Sequence, residues 1–284
     1  MKRLVSVLKL TRFEHSILLI IAVIGAEILS GGLPSVQVAI LSIITPIFLS
    51  MSAFAINDYF DVNVDKANRK KRPLVTGELR PSDALAIALV SMVIGIAGGL
   101  LLNAYCFIIA VIFGVLSILY SYRLKDVPLI GNSYVAFSMA IPFVFGNYVM
   151  TYRLLNSVVL IFFLIFISGL GREIFGTIRD FDGDKKRRAL TVPMLIGKRK
   201  SAYLGLLFYL AAVEISIYLF LHVLPFAGNI LYGWLIVISD FMLVLSSIPF
   251  ILSNRSWYGY ARNLSLGAMG LALLCILLSA VIYV

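Results

Sequence analysis

The amino-acid sequence predicts an all-α fold, a polytopic membrane bundle of about nine transmembrane helices. Three observations predict it. Of the 284 residues, 61% are hydrophobic and only 13% charged. Apolar runs recur at close to the length of about 20 residues that a helix needs to cross a bilayer. Basic residues crowd into alternate connections between those runs.

In chain order the spans are expected at roughly 16–30, 36–56, 84–102, 104–121, 132–150, 157–175, 202–223, 231–252 and 263–283. The first is short. It follows basic residues as the core of a secretion signal would, but Ser30 to Gly32 offers no convincing small-residue cleavage site, so it is retained as the first helix. The second runs into charge at Asn57 and the sixth into charge just beyond residue 175. Gly95, Gly98 and Gly99 on the third span permit close helix approach. Cys106 and Cys275 fall inside spans and read as buried thiols. His15 and His222 are too few and too far apart for a zinc site.

The distribution of Lys and Arg tests the number of spans. With the N-terminus in the cytoplasm, the inner segments 1–15, 57–83, 122–131, 176–201 and 253–262 carry 4, 6, 2, 8 and 2 basic residues, 22 of the 24 in the chain. Arg153 alone falls in an outer loop, and Arg172 lies near the inner end of the sixth span. This is the asymmetry that positive-inside orientation produces. The net charge of +10 therefore sits on one membrane face and calls for anionic lipid and phosphate; nucleic acid is not an expected partner, and no protein partner is required.

The chemistry is concentrated in two acidic clusters, Asn57-Asp58-Tyr59-Phe60-Asp61-Val62-Asn63-Val64-Asp65 and Asp180-Phe181-Asp182-Gly183-Asp184. Each ends an apolar segment and runs into a basic stretch. Residues four apart share a helix face, so Asn57, Asp61 and Asp65 would align, as would Asp180 and Asp184. Such rows repel one another unless a cation relieves them. Mg²⁺ binds through a few carboxylates together with substrate phosphate oxygens, and the neighbouring Lys and Arg residues would hold the rest of a phosphate-bearing substrate.

The clusters also head similar strings. From Asp65 and from Asp184 the order is acidic helix end, basic run, short apolar piece with Pro, Gly, then a new apolar span. The two are 119 residues apart, across four spans, which places both on one membrane face. A solvated loop that stops and orients a helix explains one such cluster better than it explains two.

The pattern N-D-x-x-D-x-x-x-D at Asn57 to Asp65, followed by Arg72-Pro73-Leu74 and Gly77, and the later D-x-D-x-D at Asp180 to Asp184, resemble the UbiA superfamily of intramembrane prenyltransferases. The resemblance runs from about Thr11 to Gly197. It implies a helical bundle around a central cavity, with two Asp-rich motifs facing each other above it and Mg²⁺ joining them to a prenyl diphosphate. The chain is expected to form one domain over 1–284, with pseudo-repeat halves, suggested by the echo of the two acidic strings, at about 16–131 and 132–252 and a last helix at 263–283. Carried over, Asn57, Asp58, Asp61 and Asp65 match the first metal motif. Asp180 and Asp184 match the outer acidic pair of the second, with Asp182 between them. Tyr120-Ser121-Tyr122-Arg123-Leu124-Lys125 resembles a diphosphate-contacting segment; Tyr122, Arg123 and Lys125, with Arg72 and Lys186, are the expected diphosphate contacts. Asp61, Asp180 and Asp184 are the expected catalytic carboxylates.

The implied reaction moves an isoprenyl chain, geranylgeranyl by expectation, from its diphosphate to an acceptor. Mg²⁺ would act as Lewis acid on the leaving group, and a ring such as Phe54 or Tyr122 would face the allylic cation. The second motif departs from the archaeal lipid-synthase form: Gly171-Arg172-Glu173 is present, but Thr177 stands where an Asp is expected. The acceptor thus stays open between geranylgeranylglyceryl phosphate and an aromatic quinone precursor such as 4-hydroxybenzoate, an alternative that Phe13-Glu14-His15 favours. Glu27, Glu214 and Asp240, acidic residues within spans, are functional candidates by their cost alone, Glu27 as an aid to the acceptor. The rival from another class is a transporter or flippase of phosphorylated lipid that uses the same charges without bond breaking.

Overall fold

A computed structural model describes residues 2–13, 16–67, 70–186 and 189–283, without the side chains of Lys2 and Lys186. Glu14, His15 and Asn68 lie outside it. Among the described residues there are helices and no strands. They are α1 (Lys2–Leu10), α2 (Ser16–Gly31), α3 (Val36–Ala67), α4 (Pro73–Thr76), α5 (Pro81–Leu102), α6 (Ala104–Tyr122), α7 (Ile130–Met150), α8 (Asn156–Arg179), α9 (Phe181–Lys186), α10 (Val192–Ile196), α11 (Lys198–His222), α12 (Ile230–Leu245), α13 (Ile248–Ile251) and α14 (Tyr258–Tyr283). Eight segments are long and apolar enough to cross a membrane, and α2, with 16 residues, is the shorter ninth.

The helices close on themselves. α3 packs against α5 and α6, α7 against α2 and α8, α8 against α11, α12 against α14, and α14 returns to α2. Four apolar clusters hold this ring: Phe143, Ile161, Leu219 and Phe226 in one, Ile174, Phe175, Tyr209 and Phe250 in the next, Leu10, Ala55, Leu74 and Ala84 in the third, Val23, Cys106 and Phe145 in the fourth. Cys106 and Cys275 are buried free thiols.

Helix length positions the site. The sequence puts the end of the second span near residue 56, where charge begins, but α3 runs to Ala67. Its 32 residues make a rod of about 48 Å at about 1.5 Å per residue, well beyond a hydrocarbon core of about 30 Å. The last turns, which carry the first acidic cluster, therefore stand clear of the apolar layer. Helix α8 likewise continues past residue 175 to Arg179 and presents the second.

The amphipathic α1 docks on this end of the bundle through polar contacts. Ser6 Oγ donates to Glu78 Oε2 at 2.6 Å, and Arg3 pairs with Asp83 at 3.1 Å. Hydrogen bonds from Ser6 and Thr76 hold the Glu78 carboxyl below its ordinary range.

Helices α3 and α5 approach closely because α5 has no side chain where they cross. A Cβ built at Gly95 would lie 2.7 Å from Leu49 Cγ and 3.1 Å from its backbone nitrogen; one at Gly98 would strike Thr45 Oγ1. Gly95→Ala is therefore expected to cost about 1–3 kcal/mol, as overpacking does. Gly259→Ala, with open space around the new methyl, should leave stability unchanged or raise it. Unfolding of the detergent-solubilised variants measures both, and equal stability of Gly95→Ala and the parent would refute the close crossing.

Candidate active site

The two connections that follow the acidic clusters are built alike. Pro73 denies Arg72 the helical conformation, so Arg72 is extended (φ −105°, ψ 151°) before the single turn of α4, and Gly77 closes that turn with a left-handed φ of 77°. In the second connection Thr191 is extended (φ −123°, ψ 161°) before α10, which has a Pro in its first turn and ends at Gly197 with φ 84°.

The extended backbone at Arg72 accompanies a side chain folded back over the end of α3. Its Nη1 pairs with Asp58 and, at 2.7 Å, with Asp65. Lys70 joins Asp65 at 2.9 Å and Arg12 joins Asp58 at 3.3 Å. Asp58 and Asp65 are both nearly inaccessible to solvent. This corrects the expected alignment of Asn57, Asp61 and Asp65. At 3.6 residues per turn, a step of four residues overshoots a full turn by about a ninth of a turn and two such steps by twice that, whereas seven residues fall just short of two turns. Asp65 thus shares a stripe with Asp58. Asn57 and Asp61 form the other row, with Asn57 Nδ2 donating to Asp61 Oδ2 at 3.2 Å.

Asn57 and Asp61 line a polar cavity of about 580 Å³. Asp180 and Asp184 line it too, joined by Asp184 N donating to Asp180 O at 3.0 Å, so helical bonding runs from the end of α8 into α9. Arg72 and Lys125 are also in the wall, and Lys125 Nζ pairs with Asp61. Arg179 forks onto Asp180 through two 2.8 Å bonds.

Other expected site residues lie elsewhere. Asp58 and Asp65 are outside the cavity wall, in the ion-pair cluster. Asp182 is exposed and faces Arg255 at 3.1 Å and Lys198 at 3.8 Å. Tyr122 and Arg123 are exposed, Tyr122 edge-on to Phe60; successive residues of a helix point in different directions, and it is Tyr120 that faces inward. The Lys186 side chain lies outside the described residues. Thr177 lines the cavity, but its hydroxyl donates to Ile174 O at 2.8 Å.

A second, apolar cavity of about 480 Å³ lies against the first, and Arg12, Asn57, Tyr120 and Arg172 belong to both walls. Its lining includes Phe54, Phe113, Tyr134, Phe143, Leu243 and Ile276. Phe54 carries the Arg12 guanidinium 4.6 Å above its ring centre. Of the three intramembrane acids only Asp240 borders this space, accepting from Ser216 Oγ at 2.5 Å. Glu27 is buried away from both cavities, and Glu214 is exposed.

Sequence reasoning did not single out Arg12, Arg179 or Arg262; it named Tyr120 only within the diphosphate-contacting segment and Arg172 and Glu173 only within a motif, none of them as a cavity residue. Phe113 and Tyr120 had a signal in their spacing of seven, and both contact Tyr134, Tyr120 at 4.4 Å. Arg12 had none; its partner Asp58 is 46 residues away. Its backbone is left-handed (φ 47°), a strained state for a residue with a side chain, of the kind that collects at functional sites.

The oxygen ligands suit a hard divalent cation. Among the described residues no three acidic or other ligating side chains come together as a ready-made metal cage. Mg²⁺ asks for less, since it takes one or two carboxylates and completes its shell with water and phosphate. Asn57 and Asp61 from one acidic motif and Asp180 and Asp184 from the other, in the wall of one cavity, fit that pattern.

A ring of membrane helices encloses a polar cavity walled by carboxylates and cations with an apolar chamber behind it, an arrangement with room for an anionic head on a hydrocarbon chain. The model of the UbiA prenyltransferase family matches residues 18–256. The digeranylgeranylglyceryl phosphate synthase of Archaeoglobus fulgidus is 36% identical over 246 residues, 85% of this chain and 83% of that protein. A solved structure concerned with digeranylgeranylglyceryl phosphate synthase in membranes superposes with a TM-score of 0.82 at 27% identity, over 99% of each chain. A UbiA homologue from Archaeoglobus fulgidus, solved bound to GPP and Mg²⁺, has the same fold at a TM-score of 0.69 and 19% identity, over 94% of this chain and 99% of that one. The chain belongs to the UbiA prenyltransferase family. It is an integral-membrane prenyltransferase, as its acidic motifs led us to expect, and not the transporter that the same charges would also suit.

Breaking a buried ion pair from one side leaves uncompensated charge and costs roughly 3–5 kcal/mol. Arg72→Met is expected to approach that loss, because it takes a cation from Asp58 and Asp65 at once and leaves only Arg12 and Lys70 to meet them. Adding Asp58→Asn and Asp65→Asn to it should recover part of the stability. A single variant as stable as the parent by denaturant unfolding would show that the cluster does not hold α3 to α4.

Proposed function

We propose that the chain transfers a geranylgeranyl group from its diphosphate to the free hydroxyl of geranylgeranylglyceryl phosphate. The observation that carries this reading is the pair of joined cavities, one charged and one apolar. The synthase relatives, one matched over most of both chains, favour this acceptor over an aromatic one. Substrates, metal and residue roles are our assignments.

The donor's diphosphate would lie in the polar cavity and its chain in the apolar one. Asn57, Asp61, Asp180 and Asp184 would hold Mg²⁺, which neutralises the leaving group when bound. Arg72 and Lys125 would take the remaining diphosphate charge, Lys125 exchanging Asp61 for phosphate oxygen. The acceptor's hydroxyl oxygen forms a bond to C1 as the C1–O bond to diphosphate breaks. The bonding pair leaves with diphosphate, which also accepts the hydroxyl proton. Tyr120, at the joint, and Phe54, in the wall of the apolar cavity, would flank the allylic centre and keep water from it. Following 22 of the 24 basic residues, we assign the acidic ends of α3 and α8 to the cytoplasmic face.

Asp61→Asn and Asp180→Asn are each expected to lower kcat/KM about a hundredfold or more, the scale of losing one preorganised electrostatic contact, with the fold intact. Asp182→Asn should stay within about threefold, since exposed ion pairs contribute little. Equal losses in all three would contradict the division of the acids by the cavity. The acceptor is tested by supplying labelled geranylgeranyl diphosphate and Mg²⁺ with geranylgeranylglyceryl phosphate or 4-hydroxybenzoate. The expected product is the diether phosphate; prenylation of the aromatic acid alone would overturn the reading.

A further inference from the structure

The polar cavity has two walls of different character. On the α3 side the cations already have carboxylate partners: Arg12 with Asp58, Arg72 with Asp58 and Asp65, Lys125 with Asp61. The wall built from α8, α10 and α14 is different. Arg172 bonds Glu173 at 3.1 Å through Nη1, but its buried Nε has no hydrogen-bond partner. The buried Oγ1 of Thr191 has none either. Arg262 is exposed at the cavity and makes no ion pair among the described residues.

The other hydroxyls on this wall are already used. Ser246 Oγ donates to Leu243 O at 2.6 Å and Ser265 Oγ to Arg262 O at 2.9 Å. What remains unspent is a set of donors, two of them on cations. Buried donors are rarely left without a partner, and an arginine fork matches the oxygens of a phosphate. Arg172 also borders the apolar chamber, so an anion held there can keep a hydrocarbon chain in that space.

We propose that Arg172, Arg262 and Thr191 form a second anion subsite, separate from the diphosphate position, that takes the phosphomonoester of the acceptor. The assignment of this anion to the acceptor rests on the proposed function. The subsite sets acceptor specificity: a prenyl acceptor without phosphate leaves the donors unmatched, and the α3 side has no spare cation to substitute.

The test uses the full chain in detergent micelles, with Arg262→Gln and Thr191→Val as variants, because both positions are free of the Arg172–Glu173 pair that packs within the bundle. Arg262→Gln should raise KM for geranylgeranylglyceryl phosphate about tenfold, one charge-assisted contact's worth. KM for the prenyl diphosphate should be unchanged. With the dephosphorylated acceptor, parent and variant should be equally poor. A rise in donor KM, or the same loss on both acceptors, overturns the subsite. Binding of inorganic phosphate by calorimetry without Mg²⁺ separates this proposal from the reaction assigned above. If the parent transfers to no phosphorylated acceptor, that reaction is wrong; the subsite still stands if phosphate binds the parent and binds at least fivefold more weakly to both variants, and falls if all three proteins bind it equally.

Discussion

Arg72 and the two carboxylates beneath it are the constraint on which the site depends. Asp58 and Asp65 are buried at the end of a long helix, and burying two like charges is costly unless cations meet them. Arg72 meets both, while Arg12 and Lys70 each add a second contact. A well-packed apolar set would give as much stability or more. What the cluster provides is location: it ties the segment after α1, the end of α3 and the turn of α4 to one another, and so fixes the rotation of α3 about its axis. With Asp58 and Asp65 held on one stripe, Asn57 and Asp61 are left to face the cavity. Among the acids of the first motif, the structure thus separates those that hold the helix from those that face the substrate space.

Much of this was legible in the sequence. Nine apolar segments lie where the runs placed them, and Asn57, Asp61, Asp180, Asp184, Arg72 and Lys125 do line one cavity. The helix limits were less legible. Apolarity ends at residue 56, but hydrogen bonding does not, and polar residues continue a helix once it leaves the lipid. The spacing rule also failed in a specific way: i+4 identity holds for one step, and over two steps the drift moved Asp65 onto the stripe of Asp58. Tyr122 was misjudged for the same reason, since within a helix the neighbouring position points elsewhere. Arg12, Arg172 and Arg262 come from three distant helix ends, and local patterning carries no record of which ends meet.

The two cavities join at Arg12, Asn57, Tyr120 and Arg172. This boundary is where charge must stop and hydrocarbon begin. Arg12 lies across Phe54, and Tyr120 stacks on Tyr134, so the polar ends of these side chains face the charged space while their apolar bodies seal the chamber behind. Such a boundary suits a reaction whose leaving group needs cations and whose electrophile must be kept from water.

The charges at the cavity neutralise one another in pairs. Asp61 is matched by Lys125 and Asp180 by Arg179, so no bare carboxylate row has to be sustained, and a divalent cation arriving alone must compete with a paired ammonium and a paired guanidinium. In the proposed reaction a prenyl diphosphate would change that balance, because its oxygens could take over the cations and leave the carboxylates to metal. On that reading donor and metal would each complete a site that the other leaves unfinished, and their binding would be reciprocally coupled. The ion pairs on Asp61 and Asp180, which look like competitors for the metal, would then keep those two carboxylates balanced until the substrate brings its own charge.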